Sequence, residues 1–261
     1  MDVVDSNTLR VTYVGGPTAI FEIDGIRFLT DPTFDPAGTT FDLGRYSLHK
    51  LQGPSIEASV VGPIDAVLLS HDHHWDNFDR AGHRVAAGAT RVLTTVAGAE
   101  RLGGSAVGLA PWQSIDVQSE QGRAVRVTGT PGRHGPPDGD RGPVTGFVLS
   151  TAGAPGHDVY ISGDTVWYEG IEEIARRFTV RTSVLFMGAA CISEIGSGQL
   201  TMTAEDGVRA ARAFADAVVV PLHFEGWKHL TESRDEIQRA FAAAGVADRL
   251  RWPAPGVPTV L

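Results

Sequence analysis

"SHDHHWDNFD", residues 70–79, sets three histidines and three aspartates in ten positions. Such a run serves equally as a metal site, a proton relay or an ordinary polar loop. What precedes it narrows the choice. IDAVLLS, residues 64–70, is a short, nearly continuous apolar run, the pattern of a strand buried on both faces. His71 therefore stands at the C-terminal end of a strand, a place that is rigidly held yet open to solvent. A short helix is expected to begin near Trp75 or Asp76. His71 and His73 are two apart, so in an extended segment both side chains face one way and reach one ion. The same geometry turns His74 away from His73.

A metal site collects ligands from distant strand ends, and imidazole nitrogen with carboxylate oxygen suits zinc. Three more strand ends deliver such groups. VRVTGTPGRHGP supplies His134, VYISGDT supplies Asp164, and VVVPLHFEGW supplies His223. Asp164 follows a glycine that permits a tight turn, and a carboxylate there is able to bridge two cations. Taken singly, each has a plainer reading. His71 and His73 would be a polar strand end, Asp76 or Asp164 a helix N-cap, His134 a solvated loop residue and His223 an interior histidine. Their recurrence at strand ends favours ligation. His49, His83, His157 and His229 read as surface or structural, with His229 near enough to His223 to touch a substrate. Cys191 reads as a small buried residue. Trp75, Trp167 and Trp227 flank the motifs and read as packing residues.

Further strands are expected at 91–95, 123–130, 144–150, 158–163, 182–188 and 217–223. The first thirty residues add LRVTYVGG, TAIFEIDG and IRFLTDP, punctuated by turn residues. Residues 33–63, rich in Pro and Gly, read as a long excursion that walls a cleft. Three later helices carry apolar faces: Trp167, Ile171, Ile174 and Phe178; Ala204, Val208, Ala211 and Ala215 behind a Thr203 cap; Ile237 and Phe241 behind a Ser233–Glu236 capping box. Strands early and a strand–helix mixture later suit an α/β arrangement of two sheets with helices outside.

The 261 residues carry a net charge of −9, with no lysine or arginine run, which gives no footprint for nucleic acid. No stretch approaches a membrane span, and the acidic MDVVDSNTLRVTYVGG lacks signal-peptide character. A single cysteine rules out an internal disulfide, so a cytoplasmic protein is expected. Oligomeric state is not legible. There is no phosphate-loop glycine motif, no G-x-S-x-G elbow and no C-x-x-C.

In this order, His71-x-His73, a lone histidine, strand-Gly-Asp164 and strand-Pro-Leu-His223 resemble the metallo-β-lactamase superfamily of metal-dependent hydrolases. Within it the chain is similar to the branch of ascorbate-phosphate lactonases and phospholipase D-like enzymes acting on N-acyl phosphatidylethanolamine. The opening VTYVGGPTAIFEIDGIRFLTDP carries part of that likeness. The resemblance implies one domain over residues 1–261, folded as a four-layer αββα sandwich of two mixed sheets with outer helices. It also implies a first metal set of His71, His73 and His134 with Asp164 shared, and a second set of Asp76, Asp164 and His223. One or two divalent ions are implied: zinc first, with manganese or iron as alternatives.

The family's usual His-x-His-x-Asp-His is not matched outright. Without a gap, Trp75 falls where the family has Asp and Asp76 where it has His. With one inserted residue, Asp76 takes the Asp place and Asn77 the His place. His74 is a candidate to compensate. The implied reaction is hydrolysis of an ester, lactone or phosphodiester by water activated on the metal. Asp76 is the candidate catalytic residue that orients the water or takes its proton, and Asp72 and Glu225 are candidates to hold the imidazoles from behind. The alternative is a non-hydrolytic iron redox or metal-binding protein of the same fold. The loop 134–143 and the 33–63 wall are expected to shape the pocket.

Overall fold

The computed structural model describes residues 8–137 and 141–261. The chain opens with β1 (Arg10–Gly15), β2 (Thr18–Ile23) and β3 (Ile26–Thr30), an antiparallel meander. A small hairpin, β4 (Thr40–Asp42) and β5 (Ser47–His49), follows within the 33–63 excursion. Then β6 (Ala66–Leu68), α1 (Arg80–Ala87), β7 (Arg91–Thr94), α2 (Val96–Leu102) and β8 (Ala106–Gly108) add parallel strands beside β3. β9 (Ser114–Gln118), β10 (Ala124–Pro131), β11 (Thr145–Thr151) and β12 (Asp158–Ile161) run antiparallel. α3 (Glu169–Arg177), β13 (Val180–Phe186), α4 (Ala204–Ala213), β14 (Val218–Leu222) and α5 (Arg234–Ala243) complete the second half, with β12, β13 and β14 parallel. β15 (Thr259–Val260) returns to pair with β1. The strand orders are β15-β1-β2-β3-β6-β7-β8 in one sheet and β14-β13-β12-β11-β10-β9 in the other.

Side-chain alternation builds three apolar layers from these two sheets. In β2, Ala19, Phe21 and Ile23 enter the layer between the sheets, while Ile20 faces outward. In and just after β6, Ala66 and Leu68 point in, and Val67 and Leu69 point out toward Ala81 and Ala86 of α1. In and just after β13, Val184 and Phe186 point in, and Leu185 and Met187 meet Val208 of α4 and Phe241 of α5. Strands covered on both faces read as continuous apolar runs, which explains IDAVLLS and TSVLFMG. The result is an αββα sandwich, the architecture the resemblance implies. No helix among the described residues is long and apolar enough to cross a membrane.

The caps of α4 and α5 stand where the spacing places them: Thr203 with Asp206, and Glu236 Oε2 accepting from the Ser233 backbone and hydroxyl. Trp167 and Phe178 lie just outside α3, half-buried against its core. Two expectations need correction. The helix after the motif starts at Arg80 with Asp79 as its cap, and residues 75–77 form a turn instead. α2 was not anticipated, because seven residues containing Gly98 carry too little periodicity to register.

Asp79 does more than cap. Its carboxylate is fully buried and accepts from the backbone N–H groups of Phe34, Asp35 and Gly82 and from Lys50 Nζ at 2.9 Å. Lys50 is itself buried; burial pulls its ammonium down and Asp79 pushes it back up. This joins the start of the excursion, its middle and α1 at one point. Asp79→Asn would turn an N–H₂ toward these donors and leave a buried ammonium uncompensated. The expected loss is about 3–5 kcal/mol of unfolding free energy, read by denaturant titration, with part recovered in Asp79→Leu/Lys50→Met. A shift below about 0.5 kcal/mol would show the hub to be dispensable.

Candidate metal centre

The proposed ligands are delivered by loops at the C-terminal ends of β6, β10, β12 and β14. Loop 70–79 leaves β6 and is fastened at its start by a second buried carboxylate. Asp31, just after β3, accepts from both the backbone N–H and the hydroxyl of Ser70 at 2.8 and 2.9 Å. With its proton given to Asp31, the Ser70 oxygen accepts from His71 Nδ1 at 2.9 Å. That assignment leaves His71 Nε2 with a bare lone pair. His134, after β10, donates Nδ1–H to the Leu200 carbonyl at 2.8 Å, which likewise leaves Nε2 bare.

Both lone pairs converge on His74 Nδ1, from His71 at 2.9 Å and from His134 at 3.1 Å. One ring nitrogen carries at most one proton, so at least one of these contacts is lone pair against lone pair. Burial holds all three imidazoles neutral: His71 is driven well below its ordinary value, His74 down to about 3 and His134 down to about 4. Neighbouring imidazoles add to the lowering in each. Three neutral nitrogens within 4.8 Å of one another form a nest that a cation completes.

A second group lies beside the first. Asp76 Oδ2 sits 2.9 Å from His229 Nε2 and 3.5 Å from His223 Nε2. The two histidines hold the Asp76 carboxyl well below the usual range despite its burial. Asp164 lies between the groups, one oxygen 3.7 Å from His134 Nε2 and the other 3.7 Å from His223 Nε2. Burial and the charges of Asp76 and Asp31 drive its carboxyl well up. Asp164 Oδ1, both His223 nitrogens and His229 Nδ1 are buried with no hydrogen-bond partner. Orphaned donors and acceptors of this chemistry fit a divalent ion held by nitrogen and oxygen.

The backbone is bent to make this possible. His223 has φ +51, an unusual conformation for a residue other than glycine. Gly163 has φ +60, and a Cβ there would stand 2.6 Å from the Ser70 Cβ; only glycine lets Asp164 turn in against loop 70–79. His229 returns to the site because residues 226–228 pair with the excursion, through Leu51 N–H to Gly226 O and Lys228 N–H to His49 O.

The structure brings together His71, Asp76, His134, Asp164 and His223. His73 is in neither group: its Nε2 lies 2.8 Å from the Arg141 carbonyl. Loop 70–79 is bent rather than extended, so His74 does not turn away, and it lies with His71 and His134 in the first group. His229 joins the second group. A histidine six residues past another, across the Gly226 turn, was a signal available in the sequence. Asn77 is buried with neither amide atom hydrogen-bonded.

The two expected supporting carboxylates act elsewhere. Glu225 accepts from Tyr13 Oη at 3.0 Å, and Asp72 forms a two-point pair with Arg101 while lying 3.8 Å from His73. Ser70 and the Leu200 carbonyl do that work instead. Trp75 stacks on Phe41 and Trp227 packs beside it, as packing residues. Cys191 is half-buried and free.

A two-sheet αββα sandwich with histidines and aspartates at its strand ends defines a metallo-β-lactamase-like protein. The chain belongs to the family described as beta-lactamase superfamily domain, which matches residues 26–224. It is similar to UPF0173 protein YddR of Bacillus subtilis (strain 168), 24% identical over 95% of this chain and 98% of that protein. A UPF0173 metal-dependent hydrolase of Carboxydothermus hydrogenoformans is also 24% identical, over 94% of this chain and 97% of its own. In fold it matches an isothiocyanate hydrolase from Delia radicum gut bacteria, with a TM-score of 0.81, 23% identity, and 97% and 99% of the two chains covered.

Neutral burial of these histidines has a pH signature. Unfolded, His74 and His134 titrate near the ordinary value of about 6.5; folded, they titrate at about 3 and about 4. Between those limits the unfolded chain binds more protons, so stability rises with pH. The metal-free protein is expected to keep this contribution above about pH 6.5 and to lose it as pH falls toward about 4. Calorimetry on chelator-treated protein should show a larger fall in Tm from neutrality to acid for wild type than for His74→Gln, since the raised carboxyls of Asp31 and Asp164 act equally in both; an equal fall would mean that His74 is not buried neutral.

Proposed function

We propose that this chain is a metal-dependent hydrolase of small molecules, with His71, His74 and His134 holding one divalent cation and Asp76, His223 and His229 a second. Asp164 is the carboxylate shared between them. The observation that carries this reading is the convergence of two lone-pair-bearing imidazoles on His74 Nδ1, beside an orphaned Asp164 oxygen and an orphaned His223 ring.

A divalent cation bound there would supply Lewis-acid polarisation and would lower the pKa of a water it holds. The chain's own residues supply the rest. Ser70 and the Leu200 carbonyl fix the tautomers and ring planes of His71 and His134. Asp76, kept ionised by its two histidines, is the acceptor that orients the attacking water. Apolar side chains around the pocket, Leu48, Ile192, Ile195 and Leu200 among them, exclude bulk water. The substrate classes we propose are esters, lactones and phosphodiesters. Zinc suits the donor set; manganese and iron are also compatible with mixed nitrogen and oxygen ligands.

Metal analysis should find about one or two divalent ions per chain. His74→Ala is expected to lose metal and hydrolysis together, whereas His73→Ala should retain metal. The reverse pattern would restore the set implied by the sequence motif and displace ours. Ser70→Ala should weaken metal affinity about 10–100-fold. Screening zinc- and manganese-loaded protein against the three classes and against isothiocyanates then names the substrate. An iron-bound protein that turns over none of them would favour the redox alternative.

A further inference from the structure

A cation stands on the wall of the pocket. Arg141 follows the described part of the 134–137 loop and lines the same pocket as His74, Asp76, His134, Asp164 and His229. It makes no ion pair with a carboxylate among the described residues. One terminal nitrogen donates to the Ile195 carbonyl at 2.9 Å, and Nε is buried with no hydrogen-bond partner. A buried guanidinium nitrogen without a hydrogen-bond partner is costly unless a ligand supplies an acceptor.

The backbone carrying Arg141 is clamped at two points. Its N–H donates to the His134 carbonyl at 2.8 Å, and its carbonyl accepts from His73 Nε2 at 2.8 Å. Gly142 follows with φ +103, and a Cβ there would lie 3.0 Å from His73 Nε2. A residue of the histidine motif itself thus holds the backbone from which the guanidinium extends. Opposite, Tyr46 from the β4–β5 turn also lines the pocket, and its hydroxyl feels both Asp76 and Arg141. Arg141 further borders an outer cleft with Pro136, Ile192, Ile195 and Gly198, so it stands where the pocket opens outward.

We propose that Arg141, positioned by His73 and assisted by Tyr46, receives an oxyanion of the substrate, so the substrates are anionic molecules with an apolar body. The planar guanidinium pairs two-point with a carboxylate or a phosphate alike. The apolar part lies along Leu48, Ile192, Ile195 and Leu200. This rests on the hydrolase reading for the position of the scissile bond, but the anion site is testable without turnover.

The test is equilibrium binding to zinc-loaded protein, by calorimetry or ligand-observed NMR, of three probes with one alkyl tail: butyrate, butyl phosphate and neutral butyramide. Wild type should bind at least one anion well above butyramide, and the tighter anion names the source. Arg141→Gln should weaken that binding about 10–100-fold at unchanged zinc content and Tm, and Arg141→Lys should fall between. Tyr46→Phe, which leaves the loop intact, should weaken it by a smaller factor. Equal binding of all three probes by wild type, or anion binding undiminished in Arg141→Gln, overturns the proposal. Anion binding that depends on Arg141, with no hydrolysis of any class, would sink the hydrolase reading and leave this one standing. Hydrolysis that persists with no such dependence would do the opposite.

Discussion

The candidate site depends on two buried carboxylates that hold one loop at its two ends. Asp31 fixes residue 70, and Asp79 fixes residue 79 to Phe34, Asp35, Lys50 and α1. Between them, residues 71–78 leave regular structure and bend. Held only by a strand on one side and a helix on the other, such a stretch would be free to swing; held by charge-assisted bonds in a dry interior, it is not. Asp31 also bears on the chemistry, because its grip on Ser70 determines which nitrogen of His71 is left bare. Asp31 has φ +27, so the fold accepts backbone strain at the residue on which that choice rests.

Charge explains why such a loop must be held so firmly. Three carboxyl groups, Asp31, Asp76 and Asp164, lie buried close enough to perturb one another. Asp76 is driven down by two histidines, while Asp164 is driven up by burial and by the other two acids. Around them stand imidazoles made neutral by burial. Without a cation the centre has acids that repel and nitrogens whose lone pairs face each other. Relaxation would relieve both, and the tethers at Asp31, Asp79, Leu200 and residues 226–228 prevent it. Preorganisation here consists of withholding that relaxation, so a cation finds the donors already assembled.

Much of this was legible in the sequence because strand ends announce themselves. Apolar runs closing on His71, His134, Asp164 and His223 gave the sheets and most of the site. The helix faces of Ile171–Ile174, Ala204–Ala211 and Ile237–Phe241 gave the outer layer. What was illegible depended on loop conformation. Period-two reasoning assumed an extended segment after β6, and it chose His73 over His74 on that ground. The segment bends because buried Asp79 pulls its far end toward Phe34 and Lys50, contacts 29 to 45 residues away that no local pattern reveals. His229 was missed for a similar reason: its return to Asp76 is set by pairing with residues 49–51, a segment read as an irregular wall.

The departure from His-x-His-x-Asp-His then acquires a physical meaning. In the folded chain a bend, rather than alternation, sets His74 beside His71 and His134. His73 turns to the Arg141 carbonyl. Its ring nitrogen ties the histidine run to the rim of the pocket. Metal geometry and rim geometry are thereby coupled through adjacent residues, since a shift of His74 moves the peptide that carries His73, and with it the hydrogen bond to the Arg141 backbone. On the ligand set we propose, a motif that looks degraded when aligned position by position is a rearranged one, because the loop that carries it bends.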